Sequence, residues 1–317
     1  MILPKKESEN QKVSHPLLEE KGVMLFVKRE DLLHKHISGN KYRKLFYNLI
    51  DAKRKRYKRI LTFGGAFSNH IAATATAGRA FGFETIGVIR GNELAGRIKE
   101  VITENPTLAF AHRQGMRFYF VDRTTYRLKE TADFIENLKQ RFGHFYLVPQ
   151  GGTNELAVKG AQEILNENDA EFDYIACAVG TGGTIAGIIN ASMPRQKVLG
   201  FPALKENFLQ HDIRKYVRKN NWTLIRDYHF GGFAKINEAL ITFVNRFYRQ
   251  TGIPLDPVYT GKMLYGLFDM IEKGHFTRET KILAVHTGGL QGIDGMNFRL
   301  QKKGLPLLKL PVHYAGK

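Results

Sequence analysis

Apolar, strand-like runs punctuate the chain at 24–27, 59–63, 84–89, 117–121, 146–148, 174–179 and 281–285. They lack the polar alternation of half-exposed strands, as strands do in parallel sheets covered on both faces. Between them, apolar residues recur at helical spacing over 44–55, 69–81, 129–142, 155–166 and 234–252. Strand and helix alternating in this way predict an α/β fold built on mostly parallel twisted sheets covered by helices. No internal repeat, low-complexity tract or heptad seam interrupts the pattern, and no Pro/Gly/Ser-rich linker marks a domain break.

Several predicted strands end in glycine corners: Gly64-Gly65, Gly151-Gly152, Gly180 to Thr184, and Thr287-Gly288-Gly289. In open α/β sheets ligands sit beyond the carboxyl ends of the strands, where helix N-termini present free N–H groups. The corners are therefore where a site is expected.

The length of 317 residues exceeds one average domain and fits two modest ones. One cysteine, Cys177, rules out an intrachain disulfide and points to a reducing, cytoplasmic location. It lies inside a strand pattern and reads as a small core hydrophobe. No apolar h-region stands at the N-terminus and no run reaches membrane-spanning length, so neither a secretory signal nor a membrane span is expected. The eleven histidines form no cluster with ligand spacing, so no metal site is expected. Trp222 reads as core or domain-interface packing.

The formal charge of +18 changes the picture more. Basic residues concentrate at 53–59 and 214–219. A nucleic-acid or anionic footprint is one reading. Solvated helix ends, with a positive field drawing in anionic substrate and cofactor, is the preferred one, because no nucleic-acid module signature accompanies the charge.

Three segments carry candidate chemistry. Val179, Gly180, Thr181, Gly182, Gly183 and Thr184 follow a strand and open a helix; glycines, successive N–H groups and threonine hydroxyls suit a phosphate. The segment is neither a Walker loop nor a dinucleotide fingerprint, and it fits a smaller cofactor. In Ser38-Gly39-Asn40-Lys41-Tyr42-Arg43-Lys44-Leu45, Lys41 follows a Gly-Asn turn and precedes a helix. A Schiff-base lysine needs an amine kept partly neutral by burial or nearby cations. In Thr62 to His70, Ser68 and Asn69 cap a helix whose N-terminus can receive a carboxylate or phosphate.

Together these segments resemble the fold-type II pyridoxal-phosphate (PLP) enzymes, the tryptophan synthase β-like superfamily, and within it the branch of D-cysteine desulfhydrase and 1-aminocyclopropane-1-carboxylate (ACC) deaminase. Further matching segments are Lys28-Arg29-Glu30-Asp31, Asp256 to Lys262, and His286-Thr287-Gly288-Gly289. The resemblance runs from about residue 24 to 292. It implies pyridoxal 5'-phosphate held on Lys41, its phosphate by Lys44 and the 180–184 loop, its phenolic oxygen by Asn69, and its pyridine nitrogen near Thr287. It implies a substrate site of Ser68, Asn69, His70, Tyr259 and Thr260, with Lys41, Ser68 and Tyr259 catalytic. It further implies a large PLP-binding domain of 1–44 plus 149–317, a small α/β domain of 45–148, and a homodimer.

ACC deaminases typically read Tyr-Glu-Gly-Lys and His-Leu-Gly-Gly where this chain has Tyr259-Thr260-Gly261-Lys262 and His286-Thr287-Gly288-Gly289, the pattern of the desulfhydrase side. A neutral threonine beside the pyridine nitrogen suits β-elimination. The expected activity is therefore D-cysteine to pyruvate, hydrogen sulfide and ammonia. ACC deamination to 2-oxobutyrate and ammonia is the alternative, and a non-catalytic basic nucleic-acid or anion-binding protein on the same fold is the third. Phe67 departs from the family, which usually carries glutamine there.

Overall fold

A computed structural model describes residues 6–37, 39–205 and 208–310; Ser38, part of the lysine segment above, lies outside the described residues. Among the described residues, ten strands form two sheets. Seven coincide with the apolar runs: β2 (Met24–Lys28), β3 (Arg59–Gly65), β4 (Glu84–Arg90), β5 (Arg117–Val121), β6 (Tyr146–Val148), β7 (Tyr174–Val179) and β10 (Lys281–Val285). Three do not: β1 (Asn10–Lys12), β8 (Lys197–Pro202) and β9 (Trp222–Leu224). β1 is a short polar strand, antiparallel to β2 on the sheet edge. β8 is buried between β7 and β9, but Gly200 and Pro202 break its apolar run.

The six-stranded sheet has the order β1-β2-β10-β7-β8-β9 and the four-stranded sheet β5-β4-β3-β6. Every pairing except β1 with β2 is parallel. All strands of the smaller sheet fall between residues 59 and 148.

Helices follow the strands: α1 (Pro16–Lys21), α2 (Asn40–Arg54), α3 (Asn69–Phe81), α4 (Ile98–Glu104), α5 (Pro106–Arg113), α6 (Arg123–Arg127), α7 (Ala132–Phe142), α8 (Glu155–Gln162), α9 (Gly183–Ala191), α10 (Leu209–Arg214), α11 (Glu238–Thr251), α12 (Thr260–Glu272) and α13 (Gly292–Gln301). Side chains at the starts set several boundaries more tightly than periodicity does. Asn237 caps α11 and Thr131 caps α7, so both start three or four residues later than the apolar pattern suggests. α2 differs in the opposite sense. It begins at Asn40, so Lys41 lies inside the first turn rather than ahead of the helix.

The two-sided burial behind the continuous apolar runs is visible in β7. Ile175, Cys177 and Val179 join the core beneath α8 and α9, while Ala176 and Ala178 face the core of α11 and α12. Cys177 is fully buried, and burial pushes its thiol up to about 12. In the smaller sheet Ile60 packs with α2 and α3, and Leu61 and Phe63 with α7. Trp222 is half-buried on the edge strand β9, packed against the core beneath α8 and α9, with the Arg214 guanidinium 4.9 Å over its ring.

Candidate functional site

The first turn of α2 carries two lysines, Lys41 and Lys44, three positions apart and hence on one helix face. A helix N-terminus disfavours positive charge, so the turn must be held by other contacts. The Arg43 guanidinium grips the buried Glu30 carboxylate through two bonds, Nε at 3.0 Å and Nη2 at 2.8 Å, and Ser8 donates to Glu30 as well. The Gly39 N–H donates to the Glu30 carbonyl and the Asn40 N–H to the Thr287 carbonyl. Gly39 has φ +60, and a Cβ there would stand 2.0 Å from the Thr287 oxygen. Only glycine lets the α2 start lie against the β10 corner.

Lys41 Nζ rests 3.0 Å from Asn40 Oδ1, and Asn40 Nδ2 donates to Thr184 Oγ1 at 2.8 Å. Burial lowers the Lys41 amine to about 8, against the opposing pull of the Asp256 carboxylate. Lys44 is buried and held well below its ordinary range, first by burial and then by Lys41 beside it. Its amine donates to Thr153 Oγ1 at 2.9 Å, and Thr153 shares a 2.6 Å hydrogen bond with Thr181. A Cβ on Gly183 would lie 3.1 Å from Lys44 Nζ. Lys44 and the 180–184 corner are thus brought together, with Thr153 between them.

His70 is buried on the same side, with Gly152 against its ring. Its Nε2 shares a 2.7 Å bond with Thr62 Oγ1, which donates onward to the Val148 carbonyl. That leaves Thr62 oxygen as acceptor and assigns the proton to Nε2. Among the described residues its buried Nδ1 has no partner of ordinary hydrogen-bond geometry. Burial, then Lys41 and Lys44, hold the ring well below its ordinary range, so it is neutral. Donors crowd this corner. Lys44 makes no ion pair among the described residues, and the first-turn N–H groups of α9 have no helical acceptor. The donor set asks for an anion.

Opposite lies the α12 start. Asp256 is buried and accepts from the N–H groups of Val258, Tyr259 and Thr260 and from Thr260 Oγ1. The Thr260 hydroxyl is thereby committed to Asp256, and the turn presents Tyr259 against Gly180. Burial raises the Tyr259 phenol, with Asp256 adding to the shift, so it stays protonated. The Ser68 hydroxyl accepts from the Ile71 N–H as the α3 cap. Asn69 Oδ1 accepts from Gln291 Nε2, and a Cβ on Gly289 would meet both Asn69 Nδ2 and Asp256. Thr287 is buried, its carbonyl taken by Asn40. Val179 contributes its side chain to the core and its carbonyl to the Ala203 N–H.

Several contributors escaped the sequence. Asn40, Thr153 and Gln291 reach their partners over long separations that local patterns cannot show. Lys262 is another. It is buried, its amine lowered to about 8 chiefly by burial, and it donates 2.8 Å bonds to the carbonyls of His229 and Gly232. Those bonds hold a loop in which Phe230, Gly231, Gly232 and Ala234 all have positive φ. Phe233 of that loop packs edge-on to Tyr259 at 6.2 Å. Its place beside the apolar residues Met263, Leu264, Leu267 and Phe268 was the available signal.

Comparison with known proteins agrees with this geometry. A family model described as "Pyridoxal-phosphate dependent enzyme" matches residues 11–288. A Pyrococcus horikoshii chain provisionally named 1-aminocyclopropane-1-carboxylate deaminase is 33% identical, covering 86% of both chains. An Arabidopsis thaliana chain named bifunctional D-cysteine desulfhydrase/1-aminocyclopropane-1-carboxylate deaminase is 30% identical, covering 86% of this chain and 74% of that one. Among solved structures, an ACC deaminase homologue superposes with TM-score 0.78 at 29% identity, covering 96% of this chain and 94% of that one.

Proposed function

Because this chain belongs to the pyridoxal-phosphate-dependent enzymes, we propose that it eliminates the β-thiol of D-cysteine, taking D-cysteine and water to pyruvate, hydrogen sulfide and ammonia. The fold is that of the tryptophan synthase β-like enzymes. The residues present fit the cofactor. A phosphate supplies the anion that Lys44, Thr153, Thr181 and the α9 N-terminus lack, and Lys41 supplies an amine that is substantially neutral near pH 8.

When bound, pyridoxal phosphate supplies an electron sink that stabilises negative charge at the α-carbon of an amino acid. In this reading Lys41 would hold it covalently, Lys44 and the 180–184 corner would hold its phosphate, and Asn69 and Thr287 would contact its ring. Once the substrate amine has displaced it from the cofactor, the freed Lys41 Nζ would accept the proton leaving the substrate α-carbon. Ser68 and Asn69, at the α3 N-terminus, receive the substrate carboxylate, where the dipole favours negative charge. Tyr259, kept protonated, serves as a hydrogen donor and not as a base. Buried His70 positions the corner from behind through Thr62. The division into 1–44 plus 149–317 and 45–148 agrees with the two sheets, with α2 running across the boundary.

The observation that carries the choice of substrate is Thr260. Its side chain is neutral and bound to Asp256, so no carboxylate stands at that position or at 287. The names of the relatives favour ACC as the second reading. Sulfide release from D-cysteine, measured beside 2-oxobutyrate release from ACC, decides between them. Sulfide from D-cysteine, lost in Lys41→Ala, is expected; turnover of ACC alone would replace the first reading by the second.

A further inference from the structure

All four strands of the smaller sheet are parallel, so the helices that return the chain end at one edge, away from the glycine corners. Each of those helices ends in cations: Lys53 and Arg54 on α2, Arg79 on α3, Arg113 on α5, Lys139 and Arg141 on α7. One cation per helix end suffices to complement the dipole. The loops and strand starts at the same edge add Arg56, Lys58, Arg59 and Arg117.

These groups form one continuous face. Arg59 bonds the Phe142 carbonyl, and Arg79 the Arg113 carbonyl. Glu84 is held below its ordinary range first by its bond to Arg59, with Arg117 and Lys58 adding to the pull. Asp51, Glu84 and Glu136 pair with Arg54, Lys55, Arg59 and Lys139. Among the described residues, Arg56, Lys58, Arg79, Arg113 and Arg117 have no ion pair, and all are exposed. Tyr57 and His144 stack at 4.4 Å and 9° within this face, and Arg141 lies 4.5 Å over Tyr119.

We propose that this edge binds single-stranded nucleic acid through its phosphate backbone. The catalytic reading does not use it. The seven residues of β3 separate it from the site by roughly 20 Å, beyond the Debye length of about 8 Å at physiological salt. A field that draws substrate into the cleft therefore does not account for it. Cations interleaved with aromatic rings are the combination single strands recognise. Among the described residues, none of the exposed large hydrophobic side chains, such as Phe67, Leu128 or Phe233, lies on this face, so the face offers no apolar anchors of the kind a membrane-inserting surface uses.

The test titrates a fluorescent 20-nucleotide single-stranded RNA with cofactor-loaded enzyme from about 50 to 200 mM salt. Wild type is expected to bind with a steep negative salt slope. The triple variant R56E/K58E/R117E is expected to bind at least tenfold more weakly, its slope reduced by roughly 2, with melting temperature and turnover unchanged. The glutamine set R113Q/K58Q/R117Q weakens binding in the same direction without reversing charge. A control of equal charge change elsewhere, K215E/R218E/K303E, keeps wild-type affinity. The proposal is overturned if wild type shows no binding, if either edge variant binds like wild type, if the control loses as much, or if anionic phosphatidylserine vesicles bind as well as RNA does.

Discussion

Lys41 and Lys44 stand one turn apart at the positive end of α2, two like charges where the helix dipole tolerates neither. A buried amine without a carboxylate costs stability until an anion arrives. Lys44→Met is therefore expected to stabilise the cofactor-free enzyme by about 1–3 kcal/mol while reducing cofactor retention on dialysis at least 100-fold, about 3 kcal/mol. Urea midpoints of the cofactor-free proteins check the first part, and absorbance after dialysis the second.

The depressed Lys41 amine gives a pH signature. The folded group loses its proton near 8, the unfolded one near 10.5, so between these values the unfolded chain binds more protons. The cofactor-free enzyme should gain stability as pH rises through that window, and carry the full penalty below about 8. Since the neutral amine is the nucleophile, cofactor uptake should rise with pH and level off above about 8. A stopped-flow uptake rate still climbing tenfold per pH unit at pH 9.5 would show an ordinary lysine.

Asn40 touches both ends of the site, accepting from Lys41 and donating to Thr184. Asn40→Ala removes the rest on which the amine lies and leaves Thr184 without its donor. A loss of roughly 10- to 100-fold in kcat/KM is expected, about 1–3 kcal/mol, with melting temperature changed by only a few degrees. Steady-state kinetics on the preferred substrate and a thermal melt give the two numbers.

Gly39→Ala puts a methyl 2.0 Å from the Thr287 carbonyl, at a φ of +60. Neither backbone can yield without moving α2 or β10, so destabilisation of about 3 kcal/mol or more is expected. Chemical denaturation reads it directly. A stability equal to wild type would show that the α2 start does not lie against the β10 corner.

Lys262→Met leaves the carbonyls of His229 and Gly232 without their donor. The loop they belong to is backbone-strained and depends on outside bonds. The expected result is a KM raised several-fold with kcat reduced less, as Phe233 loses its place beside Tyr259. Faster proteolysis within 229–234 than in wild type is the accompanying readout.

The architecture was legible because parallel strands covered on both faces write continuous apolar runs; β3, β4 and β7 read directly, and α3 matched from Asn69 to Phe81. β8 was lost where Gly200 and Pro202 interrupt the run. α4 and α5 were lost because Asn105 and Pro106 end one and begin the other within two residues. Within the site, Lys41 and the 180–184 corner could be named from local segments. What could not be read was their support. Thr153 meets Lys44 across 109 residues and Gln291 meets Asn69 across 222, and no periodicity encodes such meetings.

The lone thiol of Cys177, sealed in β7 with its ionisation suppressed, makes the chain a reporter of its own opening. With no other sulfhydryl to compete, each maleimide taken up by the native protein records one excursion that parted the layers over the central strand. Labelling rates with and without cofactor would then measure how firmly the bound group clamps that interior, with no mutation required.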